Sequence, residues 1–212
     1  HFNSLMANKL LLPGIYSLNN ADGPLVSRSD RPERQINSLY AFAQIGWKNS
    51  IYLDITGRND WSSTLPQENN SYFYPSVSLS TVLTDLFDVP NSSPVSFAKL
   101  RLGWAQVGND TDPFRLADPF FLGTPVGSNA TAAPSNTLPN FDLKPELQTS
   151  YEIGADVRLF NDRIGVDLTY YNTISENQIL AIDLPESTGK TSRIINAGKI
   201  QNRGVELLLS AT

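Results

Sequence analysis

The stretch from Lys144 to Asn172, KPELQTSYEIGADVRLFNDRIGVDLTYYN, constrains the fold more than any other part of the chain. It divides at Asn161-Asp162 into two runs of strict alternation, the pattern of strands whose two faces meet different surroundings. On the first run Tyr151, Ile153, Ala155, Val157 and Leu159 share one face, and Glu152, Gly154, Asp156 and Arg158 share the other. On the second, Ile164, Val166, Leu168 and Tyr170 oppose Arg163, Gly165, Asp167 and Thr169. A two-residue loop at Asn161-Asp162 pairs Leu159 with Ile164, Val157 with Val166 and Ala155 with Leu168, so one face is apolar on both strands. The same register sets Asp156 against Asp167, which destabilises an ordinary sheet. Arg158, beside Asp156 and diagonal to Asp167, is the expected neutralising group. Such a cluster needs water or dense pairing and cannot line a dry core. Gly154 and Thr169 are then the wet-face positions expected to accept an arginine. A soluble β-sandwich shows the same alternation, so the hairpin leaves open which solvent each face meets.

Alternation recurs along the chain. Residues 1–35 carry Pro13-Gly14, Asn19-Asn20, Gly23-Pro24 and Arg31-Pro32 and read as a long loop with one short strand near Ile15 to Leu18. SLYAFAQIGW (38–47) alternates, and the turn Lys48-Asn49-Ser50 leads into IYLDITGRND (51–60). This odd-numbered turn lets Ile45 meet Leu53 and Gln44 meet Asp54. A polar loop (61–70) precedes a strand over 71–85, and a connection through Asp88, Pro90 and Pro94 precedes another over 97–109. Residues 110–142 form a long loop rich in Pro, Asn, Ala and Thr. After the hairpin, the second strand continues through ILAID (179–183), and a turn at Pro185 to Gly189 introduces a final strand, RIINAGKIQNRGVELLLSAT.

The connections alternate between short (48–50, 161–162) and long (61–70, 110–142, 184–191), with 85–96 ambiguous. Outer-membrane barrels are built this way, with short periplasmic turns and longer outer loops. Trp47, Trp61, Tyr72, Tyr74, Trp104, Tyr170 and Tyr171 fall near strand ends, where interface girdles lie. Structureless loops this long are uncommon in compact domains. The fold class is therefore all-β: about seven antiparallel transmembrane strands of a larger barrel, with residues 1–35 an outer loop region and 36–212 the strands and their long extracellular loops. A free strand edge in lipid leaves backbone groups unsatisfied, so further strands are expected outside this sequence, which reads as an internal segment.

Composition removes other classes. A net charge of −5 argues against nucleic acid as a partner. The absence of cysteine excludes disulfides and thiolate metal sites. The single histidine, His1, leaves no base for a Ser-His-Asp or Cys-His arrangement within the rest of the chain. No apolar run approaches the ~20 residues of a membrane helix.

Taken together, GRNDWSSTLP (57–66), SYFYPSVSLS (71–80), KLRLGWAQVGND (99–110), LKPELQTSYEIGADVRLFNDRI (143–164) and INAGKIQNRGVEL (195–207) resemble the barrel of SusC/RagA-type TonB-dependent outer-membrane transporters. The resemblance covers nearly everything from Ser38 to Thr212; the first 37 residues match less sharply. It implies a barrel of about 22 strands closed by an N-terminal plug. It further implies energising by the TonB-ExbB-ExbD complex and capping by a SusD-like surface lipoprotein, in the outer membrane of a Gram-negative, Bacteroidetes-type cell. Uptake of oligosaccharides or peptides follows from the same resemblance, with no catalysis and no cofactor. The plug lies outside this sequence. Two rival readings stay open: a soluble secreted carbohydrate-binding β-sandwich, and a passive porin or adhesin barrel.

Candidate sites follow from these expectations. Arg58, Asp60 and Trp61 sit where a strand leaves the membrane for an outer loop and could contact a sugar, or form a girdle residue and an ion pair. Phe114, Phe120 and Phe121 are aromatic residues in the longest loop, and exposed aromatics mark partner surfaces. The acidic groups Asp110 and Asp112 with Asn109 have calcium-type oxygen ligands, but an Asx-rich loop start explains them better. Glu152, Asp156 and Asp167 resemble paired hydrolase carboxylates, but lie among Arg158 and Arg163 as ion pairs would. STGKT (187–191) lacks the glycine a phosphate loop needs, position 184 being leucine.

Overall fold

A computed structural model describes residues 2–30, 32–90, 92–123, 125–127 and 129–211. Seven long strands make one continuous antiparallel sheet: β3 (Ile36–Trp47), β4 (Ile51–Ser62), β5 (Ser71–Val82), β6 (Val95–Asn109), β10 (Glu146–Leu159), β11 (Ile164–Asp183) and β12 (Ser192–Ala211). Each pairs with its neighbour in sequence, a meander whose only extra member is β9 (Thr137–Leu138), parallel to the start of β12. Apart from that short contact, the far edges of β3 and β12 are open, and the sheet is not closed.

The alternating residues form these strands because each row across the sheet then holds one kind of side chain. Ile45, Leu53, Leu79, Leu102, Ile153, Tyr170 and Val205 lie in register across all seven strands. One position along and on the opposite face, Gln44, Asp54, Ser78, Gly103, Glu152, Tyr171 and Gly204 are in register. We call the first face outward and the second the wet face. Gln44 donates to Asp54 at 2.7 Å, the contact expected from the odd-numbered turn.

The central hairpin has the expected register, Asp156 opposite Asp167 included. Its turn is longer than expected: Phe160, Asn161 and Asp162 all adopt positive φ, and the Phe160 amide bonds to the Pro94 carbonyl at 2.8 Å instead of to Arg163. Charge neutralisation also differs. Arg158 reaches only Asp156, at 3.6 Å, while Asp167 is held by Arg101 from β6, at 2.8 and 3.2 Å. Arg101 crosses an intervening strand to do so. It can because Gly154 lies beneath it; a Cβ there would stand 2.9 Å from Nη2. Thr169 accepts from the same guanidinium at 3.2 Å. An arginine at Gly154 would therefore have to displace the end of the Arg101 side chain, whereas Thr169 borders open space on the same face.

Three further differences concern segments. No strand forms at Ile15 to Leu18. Instead Asn20 ties that loop shut, its amide donating to the Leu12 and Ile15 carbonyls at 2.8 Å each, and a separate ribbon pairs β1 (Phe2–Met6) with β2 (Val26–Asp30). The strand expected over 71–85 stops at Val82, where one helical turn, α1 (Leu83–Leu86), begins. Within the long loop, β7 (Phe120–Leu122) pairs with β8 (Ala132–Pro134). The ambiguous connection after α1 belongs to the short-turn end. Val82 donates to Ser50 there at 2.7 Å, and the Ser96 hydroxyl donates to Asp162 at 3.0 Å.

The aromatic residues sort by face. Trp47, Trp61, Trp104 and Tyr170 occupy outward positions, joined by Phe73 and Tyr151. Tyr72, Tyr74 and Tyr171 lie on the wet face and are not girdle residues. Relative to the row Ile51, Thr81, Leu100, Ala155, Leu168, Trp61 stands ten residues along its strand and Phe73 eight. Trp104 and Tyr151 stand four along and Tyr170 two. The aromatic line thus descends ~26 Å along the strands while crossing ~19 Å of sheet, oblique to the strands as in a tilted barrel wall but steeper than a tilt of ~35–45° alone gives.

Candidate functional site

At the long-loop end, two carboxylates organise the wet face between β3 and β6. Asp60 accepts from Arg58 Nε at 2.7 Å and from the Tyr74 hydroxyl. Arg58 also donates to the Ser38 hydroxyl at 3.0 Å, and its guanidinium lies 5.7 Å from the centre of the Tyr74 ring. Tyr72 stacks on Tyr74 with ring centres 6.0 Å apart. The second carboxylate, Asp110, has a fully buried side chain. It accepts from Arg34 through both Nε, at 3.1 Å, and Nη2, from Thr64 Oγ1 at 2.9 Å, and from the Ser62 hydroxyl. Burial of a charge is tolerated where the charge is paired and hydrogen-bonded this completely.

Below these knots lies a small apolar core of Leu65, Leu143 and Ile194, packed against Tyr72, Leu116 and Ile179. It joins the loop after β4, the end of the 110–142 loop and the start of β12. The long loop is therefore fastened at its base. Lys190 adds a clip, its ammonium donating to both Asp118 oxygens at 2.7 and 2.8 Å and to the Ser135 carbonyl at 2.7 Å. Lys190 belongs to the STGKT run, whose Gly189 merely ends a 3-10 turn in left-handed conformation.

The expected site residues fare unevenly. Arg58 and Asp60 come together as an ion pair on the wet face. Trp61 projects to the opposite, outward face, between Asn37 and Ser71. Phe120 and Phe121, adjacent on β7, point to opposite sides of the β7–β8 ribbon, and Phe114 lies in the turn before it. All three are exposed, so the ribbon offers apolar surface on both sides instead of one patch; Leu122 extends the Phe120 side. The calcium-type set does not converge: Asp110 is caged, Asn109 donates to Glu146 at 3.2 Å, and Asp112 faces Arg115 at 3.5 Å. Among the described residues no group of three or more His, Cys, Asp or Glu is placed to hold a metal.

Sequence reading missed two residues. Tyr40 and Phe42 stand on the wet face of β3, 70% and 77% exposed, beside Arg58 and Tyr74 around a space of about 490 Å³. The signal available was an aromatic residue on a face otherwise made of small and polar side chains. A wider groove of about 850 Å³ runs along the same face between Arg101 and Asn202, with Glu152, Thr169 and Tyr171 on its wall.

The sheet and its site can be set beside known proteins. Residues 6–212 match the family model described as TonB dependent receptor-like, beta-barrel. The chain belongs to the TonB-dependent receptor β-barrel family. Such barrels are outer-membrane proteins, and the family is one of receptors and transporters, not of enzymes. TonB-dependent receptor P26 of Formosa agariphila is 28% identical over 94% of this chain and 20% of its own length. TonB-dependent receptor SusC of Bacteroides thetaiotaomicron is 24% identical over 77% of this chain and 17% of its own. Among solved structures, the RagAB peptide transporter superposes with a TM-score of 0.80 at 23% identity, covering 97% of this chain and 22% of that one. The siderophore receptor PirA from Pseudomonas aeruginosa gives 0.55 at 18% identity, covering 88% and 32%. The chain spans about a fifth of the curated relatives it matches. An open sheet is what part of a receptor barrel contains.

Proposed function

We propose that this chain forms part of the wall of a TonB-energised outer-membrane importer that takes up oligosaccharides or peptides with a SusD-like lipoprotein. The observation that carries the reading is the two-faced sheet: seven strands share an apolar outward row, backed by a wet face of hydrogen-bonded polar groups. A soluble sandwich would bury that outward face, and none of the described elements covers it. On cargo, one structural relative is named a peptide transporter, while the SusC relative's name states no substrate, so both classes are kept. In this reading the long-loop end lies outside the cell, and residues 1–35 form an outer loop region. The Arg58, Tyr40 and Phe42 patch then meets cargo in the lumen, aromatic faces and a fixed guanidinium suiting either a sugar or a peptide. Trp61 serves as a girdle residue.

Phe114, Phe120 and Phe121 are assigned to contact with the lipoprotein. The 110–142 loop supports this because its base is packed and clipped while its ribbon projects apolar side chains, so little ordering entropy opposes docking. In the full-length receptor, replacing all three by serine should leave barrel assembly intact. Affinity for the lipoprotein should fall by ~1–2 kcal/mol or more for each anchor lost. Co-purification from detergent-solubilised outer membranes reads this directly. Failure of assembly, with the lipoprotein still held by whatever assembles, would make the three residues structural.

A further inference from the structure

Tyr72 takes part in two assemblies at once. Its ring stacks on Tyr74, with centres 6.0 Å and planes 23° apart. It also packs on the apolar core of Leu65, Leu143 and Ile194, which Leu116 and Ile179 complete. Its strand, β5, is an interior one, flanked by β4 and β6, so the sheet itself lines both sides of the ring. Towards the long-loop end β5 leaves β6 after Ser76 and Ala105, and there the ring lies against Gly108. A Cβ on Gly108 would overlap the edge of that ring, although the Gly108 backbone is not left-handed. Glycine is needed at this point for room, not for conformation. Among the described residues no group hydrogen-bonds the Tyr72 hydroxyl, so packing alone holds the ring.

On the other side of the stack, the Tyr74 hydroxyl donates to Asp60, and Asp60 accepts from Arg58 Nε at 2.7 Å. The place of the Tyr74 ring therefore sets where the Arg58 guanidinium stands. Leu143 ends the 110–142 loop and Leu116 lies within it, so a shift at the base of that loop reaches Tyr72 through the apolar core. A close-packed ring does not yield continuously; it keeps its seat or leaves it. Side chains that share a packed partner are coupled in energy, whereas distant ones with none are additive. We propose that Tyr72 is a positioning residue that seats the Arg58–Asp60–Tyr74 group against the base of the 110–142 loop, so that the loop's position regulates the lumenal patch. Coupling is reciprocal, so occupancy of the patch bears equally on the loop. What patch and loop bind rests on the reading under Proposed function; the joint between them rests on the contacts of Tyr72.

Fluorine NMR of the full-length receptor in detergent, with 3-fluorotyrosine in place of Tyr74, tests this. Leu143→Ala, which hollows the loop base, should shift the resonance at position 74. The shift should persist in Tyr72→Phe, because the hydroxyl is not needed, and vanish in Tyr72→Leu. Limited proteolysis reads the reverse direction. Arg58→Gln should speed cleavage within the 110–142 loop about threefold, a size fitting side chains that share a partner, and should have no effect on it in Tyr72→Leu. An unmoved resonance in Leu143→Ala with Tyr72 in place overturns the proposal, and so does an equal shift in Tyr72→Leu. Cleavage unchanged by Arg58→Gln with Tyr72 in place also overturns it. Should Tyr72→Leu not assemble, Gly108→Ala displaces the ring with Tyr72 retained; loss of the Leu143→Ala shift there supports the joint, and its persistence overturns it. No cargo or lipoprotein enters these measurements, so their failure leaves the importer reading standing, and co-purification of the lipoprotein tests that reading separately.

Discussion

Arginine at Val157 or Leu168 is expected to destabilise the folded barrel by about 2–4 kcal/mol in a bilayer, less towards the interfaces. Both residues lie in outward rows, Val157 between Ala98 and Val166, and Leu168 between Ala155 and Leu207, with no anion or water-bearing group beside them. The charge would sit in hydrocarbon or force the bilayer to thin. Arginine at Ser78 is the matched control. Ser78 lies on the wet face in register with Asp54, whose carboxylate already accepts from its hydroxyl at 3.4 Å. A cation there gains an ion pair, and its effect should stay within about 1 kcal/mol. Folding into lipid vesicles followed by heat-dependent gel mobility measures all three. Equal damage at the three positions would contradict the division into two solvents.

Asp110→Ala should be nearly as severe, at about 2–4 kcal/mol, for a different reason. The carboxylate accepts from Arg34, Ser62 and Thr64, and its removal leaves the guanidinium without its acceptor and the two hydroxyls with only each other, 2.9 Å apart. Breaking a buried pair typically costs more than the pair contributed, because the surviving partner stays desolvated. Arg34 is partly exposed and recovers some hydration, which keeps the figure below the upper range. Because Ser62 leads to Leu65 of the small apolar core, the loop after β4 should loosen with it. Asp112→Ala is the control: that side chain is mostly exposed, 3.5 Å from Arg115, and should change little. Limited proteolysis of the long-loop end on assembled receptor reads the difference. Equal protease resistance in Asp110→Ala and wild type would show that the knot does not hold the loops.

The strands were legible because alternation is a local signal. Ser38 to Trp47, the Lys48-Asn49-Ser50 turn and the 144–172 hairpin all announce their register within a few residues of themselves, and the two-solvent surroundings force every strand to repeat the same pattern. What was illegible depends on residues far apart in sequence. Nothing in GADVR signals that Gly154 leaves a path for Arg101, and Asp110 gives no hint that Arg34 is its partner. The same holds for Lys190, which closes on Asp118 across a loop whose composition suggested only irregular chain. Position near a strand end points Tyr72 and Tyr74 to the girdle, but the face they occupy decides otherwise. Their even numbers on β5 put them with Ser76 and Ser78, against the odd-numbered Phe73 and Val77. Sequence proximity groups the three phenylalanines in one loop, whereas strand geometry places Phe120 and Phe121 on opposite sides.

The most direct measurement of the two-solvent sheet is a nitroxide scan along β11 in the full-length receptor reconstituted in lipid. Single labels at Val166, Leu168 and Tyr170 should relax with dissolved oxygen, which partitions into hydrocarbon. Labels at Asp167, Thr169 and Tyr171 should relax with a water-soluble nickel chelate. The expected result is a period of two across the six positions, the two accessibilities exactly out of phase. Uniform access by the nickel chelate at all six would contradict a membrane-spanning wall.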